Sequence, residues 1–246
     1  PSPKPAAPAA APAAKVVAQQ ELVAPGGAAG GATAQAGLML AAPAVEKSGE
    51  ELFALLAPST ARITVHDVSG RAVGLGSGVV VGSGQVITNC HVAKAGGTLA
   101  VKVGGESFSA SVEVADEEYD LCRLSVLGLS APAVPMGSID SLRTGQKVYA
   151  IGAPQGLDLT ISDGIVSAFR DMPQGRIVQT TAPISPGSSG GPLFDAFGRL
   201  VGIMTFQHRT GQNLNFAVPA DWIANIRSRA ATNPLPEAMG RSLSMN

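Results

Sequence analysis

From Thr60 to about Val218 the sequence predicts an all-β domain, a sandwich or barrels, on three observations. Short segments rich in Val, Ile, Leu and Thr recur about eleven times, Gly, Pro, Asn, Asp or Ser separates most of them, and helical spacing of apolar residues appears only outside this region. The segments are 61–68, 73–81, 85–88, 98–103, 107–114, 121–126, 147–151, 157–169, 176–181, 199–205 and 213–218.

Two helices flank them. Ser48-Gly-Glu-Glu51 fits a capping box, and Leu52, Leu55 and Leu56 follow at helical spacing until Pro58 stops the run. Near the other end Asp221 can cap a helix over 220–230, with Trp222, Ile223, Ile226 and Ala230 on one face and Arg227 and Arg229 near its C-terminal end to complement the dipole. Residues 1–45 are dominated by Ala, Pro and Gly, too poor in large apolar side chains to offset the entropy of ordering the chain, so they read as a disordered tether. Residues 231–246 lack a periodic pattern and read as a flexible tail.

Composition narrows the function. The 246 residues carry a net charge of −1, with 14% charged and 4% aromatic side chains, which argues against nucleic acid as a partner. Gly, Pro or charge interrupts every apolar run before it reaches the ~18 residues a spanning helix needs, so no transmembrane segment is expected. The first residue is Pro1 and not Met, which fits either a processed or a trimmed chain and leaves export open. Two cysteines, Cys90 and Cys122, could form one disulfide or remain packed thiols.

The stretch Ala182-Pro-Ile-Ser-Pro-Gly-Ser-Ser-Gly-Gly-Pro-Leu-Phe194 carries the chemical signal. Glycines at 187, 190 and 191 free the backbone to turn successive N–H groups into one small space beside the Ser189 hydroxyl, the makings of an oxyanion hole. A serine nucleophile needs a base and a group that orients the base. Of three histidines, His66 lies inside the first strand and His208 in a polar turn, whereas His91 follows the apolar strand that ends in Thr88-Asn89. Among the aspartates, Asp120 leads directly into a strand at Leu121, while Asp116, Glu117 and Glu118 read as a solvated turn, and Asp140, Asp158, Asp163, Asp171 and Asp195 mostly fall in turns or near loop glycines.

With these residues in place, the chain resembles the trypsin-fold serine peptidases, and within them the bacterial HtrA-like branch. The matching segments are Gly74-Leu-Gly-Ser-Gly-Val-Val-Val81, Val86-Ile-Thr-Asn-Cys-His-Val92, Tyr119-Asp-Leu121, Gly164-Ile-Val-Ser-Ala168, Gly187-Ser-Ser-Gly-Gly-Pro-Leu193, Leu200-Val-Gly-Ile203 and Asn215-Phe-Ala-Val-Pro219. The resemblance implies two packed six-stranded antiparallel β-barrels with a short N-terminal helix and a C-terminal helix. Barrel 1 would span about 59–140 and barrel 2 about 141–218, within a peptidase domain over 46–230. It implies Ser189 as nucleophile, His91 as general base and then acid, and Asp120 as the group that fixes the imidazole. The N–H groups of Gly187 and Ser189, with Ser188 nearby, would form the oxyanion hole.

Departures from the wider family refine the expectation. Ser188 stands where trypsin has an acid that pairs with a new N-terminus, so that mode of zymogen activation is not expected. The pocket walls implied are Thr181, Ala182, Pro183 and Ile184 on one side and Thr205, Phe206 and Gln207 on the other. They offer no carboxylate, which favours a small or medium apolar side chain before the scissile bond. Cys90 and Cys122 would be neighbours beside His91 and Asp120; a disulfide or two thiols remain open until the Cα separation is compared with the ~4.4–6.8 Å bonding window. No segment like the family's peptide-sensing PDZ module is expected after the last helix.

The expected function is that of a serine endopeptidase working through an acyl-enzyme on protein or peptide substrates. No metal or organic cofactor is expected, and the expected location is the periplasm or cell exterior. The competing readings are a catalytically silent trypsin-fold module that binds extended peptides as an added strand, and an esterase using the same triad.

Overall fold

The computed structural model describes residues 45–207 and 214–232. The tether before Val45, the tail beyond Thr232, and His208 with the rest of the loop up to residue 213 lie outside the described residues, as do the side chains of Phe206 and Gln207.

Helix α1 (Gly49–Leu56) begins as its sequence dictates: Ser48 Oγ accepts from Glu51 N at 3.2 Å, and Glu51 Oε2 accepts from Ser48 N at 2.7 Å. The helix buries Leu52 and Leu56, and at Pro58 it tightens into a 3₁₀ turn, Ala57–Ser59, that delivers the chain into the first strand.

Twelve strands then build two closed antiparallel barrels. The first contains β1 (Thr60–His66), β2 (Ala72–Gly82), β3 (Gln85–Thr88), β4 (Thr98–Val103), β5 (Glu106–Asp116) and β6 (Leu121–Val126), in the order β1-β2-β3-β6-β5-β4. The second contains β7 (Lys147–Gly152), β8 (Thr160–Met172), β9 (Gly175–Thr180), β10 (Pro192–Asp195), β11 (Leu200–Gln207) and β12 (Asn215–Pro219), in the order β10-β11-β12-β9-β8-β7. Closure leaves no long unpaired edge in either sheet. Between β3 and β4 lies a single helical turn, α2 (Cys90–Ala93).

Three apolar clusters hold this together. Ile63, Val80, Val101 and Leu124 fill the first barrel, and Val148, Val166, Val178, Leu193 and Val201 fill the second. The third lies between the barrels and beneath α1, where Leu52, Leu56, Ile87, Leu121, Ile151, Phe194 and Ile203 meet. Successive residues of one strand point to opposite faces. Val79 and Ile87 therefore enter the inter-barrel layer while Val80 and Val86 fill barrel 1, and Phe194 and Leu193 divide likewise in barrel 2. Strands buried on both faces read as continuous apolar runs.

The structure corrects several expectations. A twelfth strand, β10, follows directly on Gly190-Gly191; its four residues were too few to show a period. The C-terminal helix is broken: a 3₁₀ turn, Ala220–Ile223, precedes α3 (Ile226–Thr232). Asp221 does not cap it, because its Oδ2 accepts instead from Ile139 N at 2.7 Å. Asp116 is not in a solvated turn; it ends β5 with 4% exposure, and its Oδ2 accepts from Arg229 Nε at 2.7 Å. Asp195 is fully buried, accepting from Phe197 N, Arg199 N and Arg199 Nε.

Candidate active site

The short apolar strand β3 ends at Thr88, and the chain then makes one helical turn that carries His91 out of barrel 1. Asp120 precedes β6 with φ of 51°, a left-handed conformation that Asp tolerates better than most residues. The two segments are joined at several points. His91 Nδ1 lies 2.8 Å from Asp120 Oδ2, His91 N donates to Asp120 Oδ1 at 3.0 Å, and Asn89 Nδ2 and Cys90 N donate to the Asp120 carbonyl at 2.9 and 3.3 Å. A carboxylate only accepts, so the Nδ1 nitrogen carries the proton and Nε2 is left as the basic face of the ring.

A disulfide locks the same two segments. Cys90 and Cys122 are bonded with a Cα separation of 4.8 Å, which settles the alternatives the cysteine count left open. The imidazole is half exposed, and its pKa is raised above the ordinary 6.5, chiefly by the hydrogen bond to Asp120, with burial opposing.

Ser189 lies on the turn before β10, in barrel 2. Its hydroxyl donates to the Thr205 carbonyl at 3.2 Å, while Thr205 Oγ1 donates to Asp120 Oδ2 at 2.7 Å. One buried threonine thus touches both Ser189 and the carboxylate that holds His91. A hydroxyl has a single proton, and in this structure the one on Ser189 is given to Thr205.

The glycines of the turn are dictated by contact. A Cβ on Gly190, at φ of 83°, would come within 2.2 Å of Thr88 Oγ1 and 2.4 Å of the Ser77 carbonyl. One on Gly187, at φ of 94°, would lie 2.6 Å from the Ala153 carbonyl. Of the three residues expected around the oxyanion hole, Ser188 has its N–H occupied, donating to Ser185 O at 2.8 Å. The N–H groups of Gly187 and Ser189 make no such bond among the described residues.

Sequence reading missed Ser77. Fully buried on β2, it donates through Oγ to the Gly187 carbonyl at 2.8 Å, accepts from Ala153 N at 2.9 Å, and donates through its backbone to Ser189 O at 2.8 Å. Gln155 N adds a bond to Pro186 O at 2.7 Å. The turn bearing Ser189 is therefore fastened to barrel 1 as well as to its own barrel. The available signal was a lone polar residue between Gly76 and Gly78 within an apolar run.

The expected pocket walls separate. Ala182 and Ile184 are buried in the barrel 2 core, Thr181 Oγ1 accepts from Ile165 N, and of that stretch only Pro183 lines the small cavity of about 60 Å³ beside Ser188. Its other walls include Ile151, Pro154, Thr160, Ser162 and Met204. Among the described residues no group of three or more His, Cys, Asp or Glu could hold a metal ion.

Residues 76–203 match the trypsin-like peptidase domain. The chain belongs to the trypsin-like peptidase family. Within that family it is 36% identical over 188 residues to a protein of Pseudomonas putida strain GB-1 named "Probable periplasmic serine endoprotease DegP-like", which covers 73% of this chain and 39% of that one. It is also 36% identical over 171 residues to "Protease Do-like 1, chloroplastic" of Arabidopsis thaliana, covering 62% of this chain and 38% of that one. The chain spans less than half the length of these relatives. Among solved structures, the HtrA-type protease AlgW with a tripeptide matches with a TM-score of 0.68 at 30% identity, over 76% of this chain and 64% of that one. A serine endoprotease from Yersinia pestis matches with a TM-score of 0.67 at 29% identity, over 77% and 68%. No helix among the described residues is long and apolar enough to cross a membrane.

Proposed function

We propose that this chain is a serine endopeptidase in which Ser189 attacks the scissile carbonyl, His91 takes and returns the proton, and Asp120 holds the imidazole. The observation that carries this reading is the 2.8 Å contact between His91 Nδ1 and Asp120 Oδ2, with Nε2 left as the acceptor and Thr205 linking the same carboxylate to Ser189. In the reaction the Ser189 hydroxyl swings from the Thr205 carbonyl to Nε2 and gives up its proton as its oxygen bonds to the substrate carbon. The imidazolium is stabilised by Asp120 and then protonates the departing amine; water repeats the sequence on the acyl-enzyme. The Gly187 and Ser189 N–H groups receive the developing oxyanion, each such donor contributing about 3 kcal/mol of transition-state stabilisation.

The cavity of about 60 Å³ beside Ser188, walled by Ile151, Pro154, Pro183 and Met204, supports a small apolar side chain before the scissile bond. A periplasmic or extracellular location is supported by the disulfide and by the names of the DegP-like relatives.

Fluorophosphonate labelling of the folded protein tests the assignment. The parent chain should label at Ser189, and Ser189→Ala and His91→Ala should not. Label retained in Ser189→Ala would remove the nucleophile from this position. Casein cleavage by the parent, absent in both variants, separates a peptidase from an esterase.

A further inference from the structure

A second, much larger cavity of about 580 Å³, with no residue of the Ser189 turn in its walls, lies between α1, the start of β1, the β4–β5 turn and the segment before β8. Its walls are apolar: Phe53, Ala57 and Pro58 on one side, Leu157 and Leu159 on the other. Into this apolar space the sheet brings two cations. Arg62 and Lys102 are direct partners in the antiparallel β1–β4 ladder, so their side chains leave the same face, and both line the cavity.

Like charges placed directly opposite across two strands repel, and the pair weakens the ladder unless an anion lies between them. Among the described residues none is supplied: neither Arg62 nor Lys102 takes part in an ion pair. Arg62 Nη1 donates to the neutral Gly156 carbonyl at 2.9 Å, which leaves the rest of its guanidinium fork unspent. Asp158 also borders the cavity but is exposed, with its charge in solvent. Both cations are half-buried, which raises the cost of leaving their charges unanswered.

We propose that this cavity binds a long-chain carboxylate, the head held between Arg62 and Lys102 and the hydrocarbon laid along Phe53, Ala57, Pro58, Leu157 and Leu159. The guanidinium fork matches a carboxylate in two parallel hydrogen bonds. Ligand pockets of this kind run from about 300 to 1,000 Å³, apolar for most of their lining with a few placed polar groups. Neither half of the ligand suffices: the head alone would leave the apolar walls wet, and the chain alone would leave two facing cations uncompensated.

The experiment is calorimetric titration of the full chain with dodecanoate below its micelle concentration, beside acetate, which has only the head, and dodecanol, which has only the chain. Dodecanoate should bind saturably at one per chain, with acetate and dodecanol at least tenfold weaker. Lys102→Gln should weaken dodecanoate at least tenfold. Ala54→Trp, which plants a bulky ring in the cavity from an exposed position on α1, should abolish binding. Thermal melts and fluorophosphonate labelling equal to the parent's establish that both variants are folded. Absence of saturable dodecanoate binding, dodecanol binding as tight as dodecanoate, or affinity unchanged in the two folded variants would overturn the assignment.

Discussion

Single side chains decide two measurable properties of the candidate site. The fold raises the His91 pKa above the ordinary 6.5, chiefly through the hydrogen bond from the ring to Asp120. A protonated imidazole cannot accept from Ser189, so kcat/KM should fall as the pH is lowered through a midpoint above 6.5. The same shift favours the folded state at low pH, a contribution complete below the ordinary value and lost as the pH rises through the raised one. In Asp120→Asn the acid limb of the profile should move down toward the ordinary value, a midpoint read from kcat/KM against pH; an unmoved limb would dissociate the profile from this pair. Ser77→Ala removes a buried hydroxyl that answers both the Gly187 carbonyl and Ala153 N. Stability should drop by about 2 kcal/mol in urea titration, and kcat by about 10- to 100-fold as the turn bearing Ser189 loosens. His91, Asp120 and Ser189 were candidates in the sequence because each stands at a local landmark: a strand end, a strand start, a run of glycines; their roles came only from the family resemblance. The bonds made by Ser77 and Thr205 were not legible, although Thr205 itself was expected as a pocket wall, since their partners lie 110 and 85 positions away and no local pattern records such a pairing.

Among the elements, the C-terminal helix supports the segment that presents Asp120. Arg229 of α3 donates to Asp116 Oδ2 and to Trp222 O, and its guanidinium lies 4.3 Å over the Tyr119 ring, which meets Trp222 edge-on at 4.9 Å. Asp116 ends β5, and Tyr119 and Asp120 belong to the tight turn that joins it to β6. In Arg229→Met the Asp116 carboxylate would be left buried without its cation. Unfolding should become easier by about 3 kcal/mol, seen as a lower urea midpoint at unchanged slope. This contact was hidden because Asp116-Glu-Glu118 is an acidic run that resembles a surface turn, and burial of its first member depends on a helix more than a hundred residues on. Most strands were legible from their β-branched runs and turn residues. β10 was not, because it consists of four residues squeezed between two glycines and the Asp195 turn. The capping box of α1 was legible down to its atoms, being a wholly local arrangement.

At the scale of the molecule, a disulfide closes a separation of 32 residues from the His91 turn to β6. Chain-entropy arguments assign such a closure about 4 kcal/mol. Cys90→Ala/Cys122→Ala, or the parent kept in a thiol reductant, should therefore melt well below the oxidised parent in scanning calorimetry, with peptidase activity lost before global unfolding; melting points that coincide would contradict this. Two barrels were foreseeable only through family likeness. Strand count and spacing alone fit a sandwich equally well, and the apolar layer joining the sheets is made by residues such as Ile87 and Phe194 whose neighbours in sequence face the other way.

His91 and Asp120 stand on connections of the first barrel, and Ser189 on a turn of the second. The linking strand of chain between β6 and β7 passes through exposed residues at Ser130, Pro132 and Ala133. A nick there would leave two complementary fragments, each with its own interior yet chemically inert. Mixed after separation, they would regain turnover as a bimolecular process, at a rate rising with the product of their concentrations.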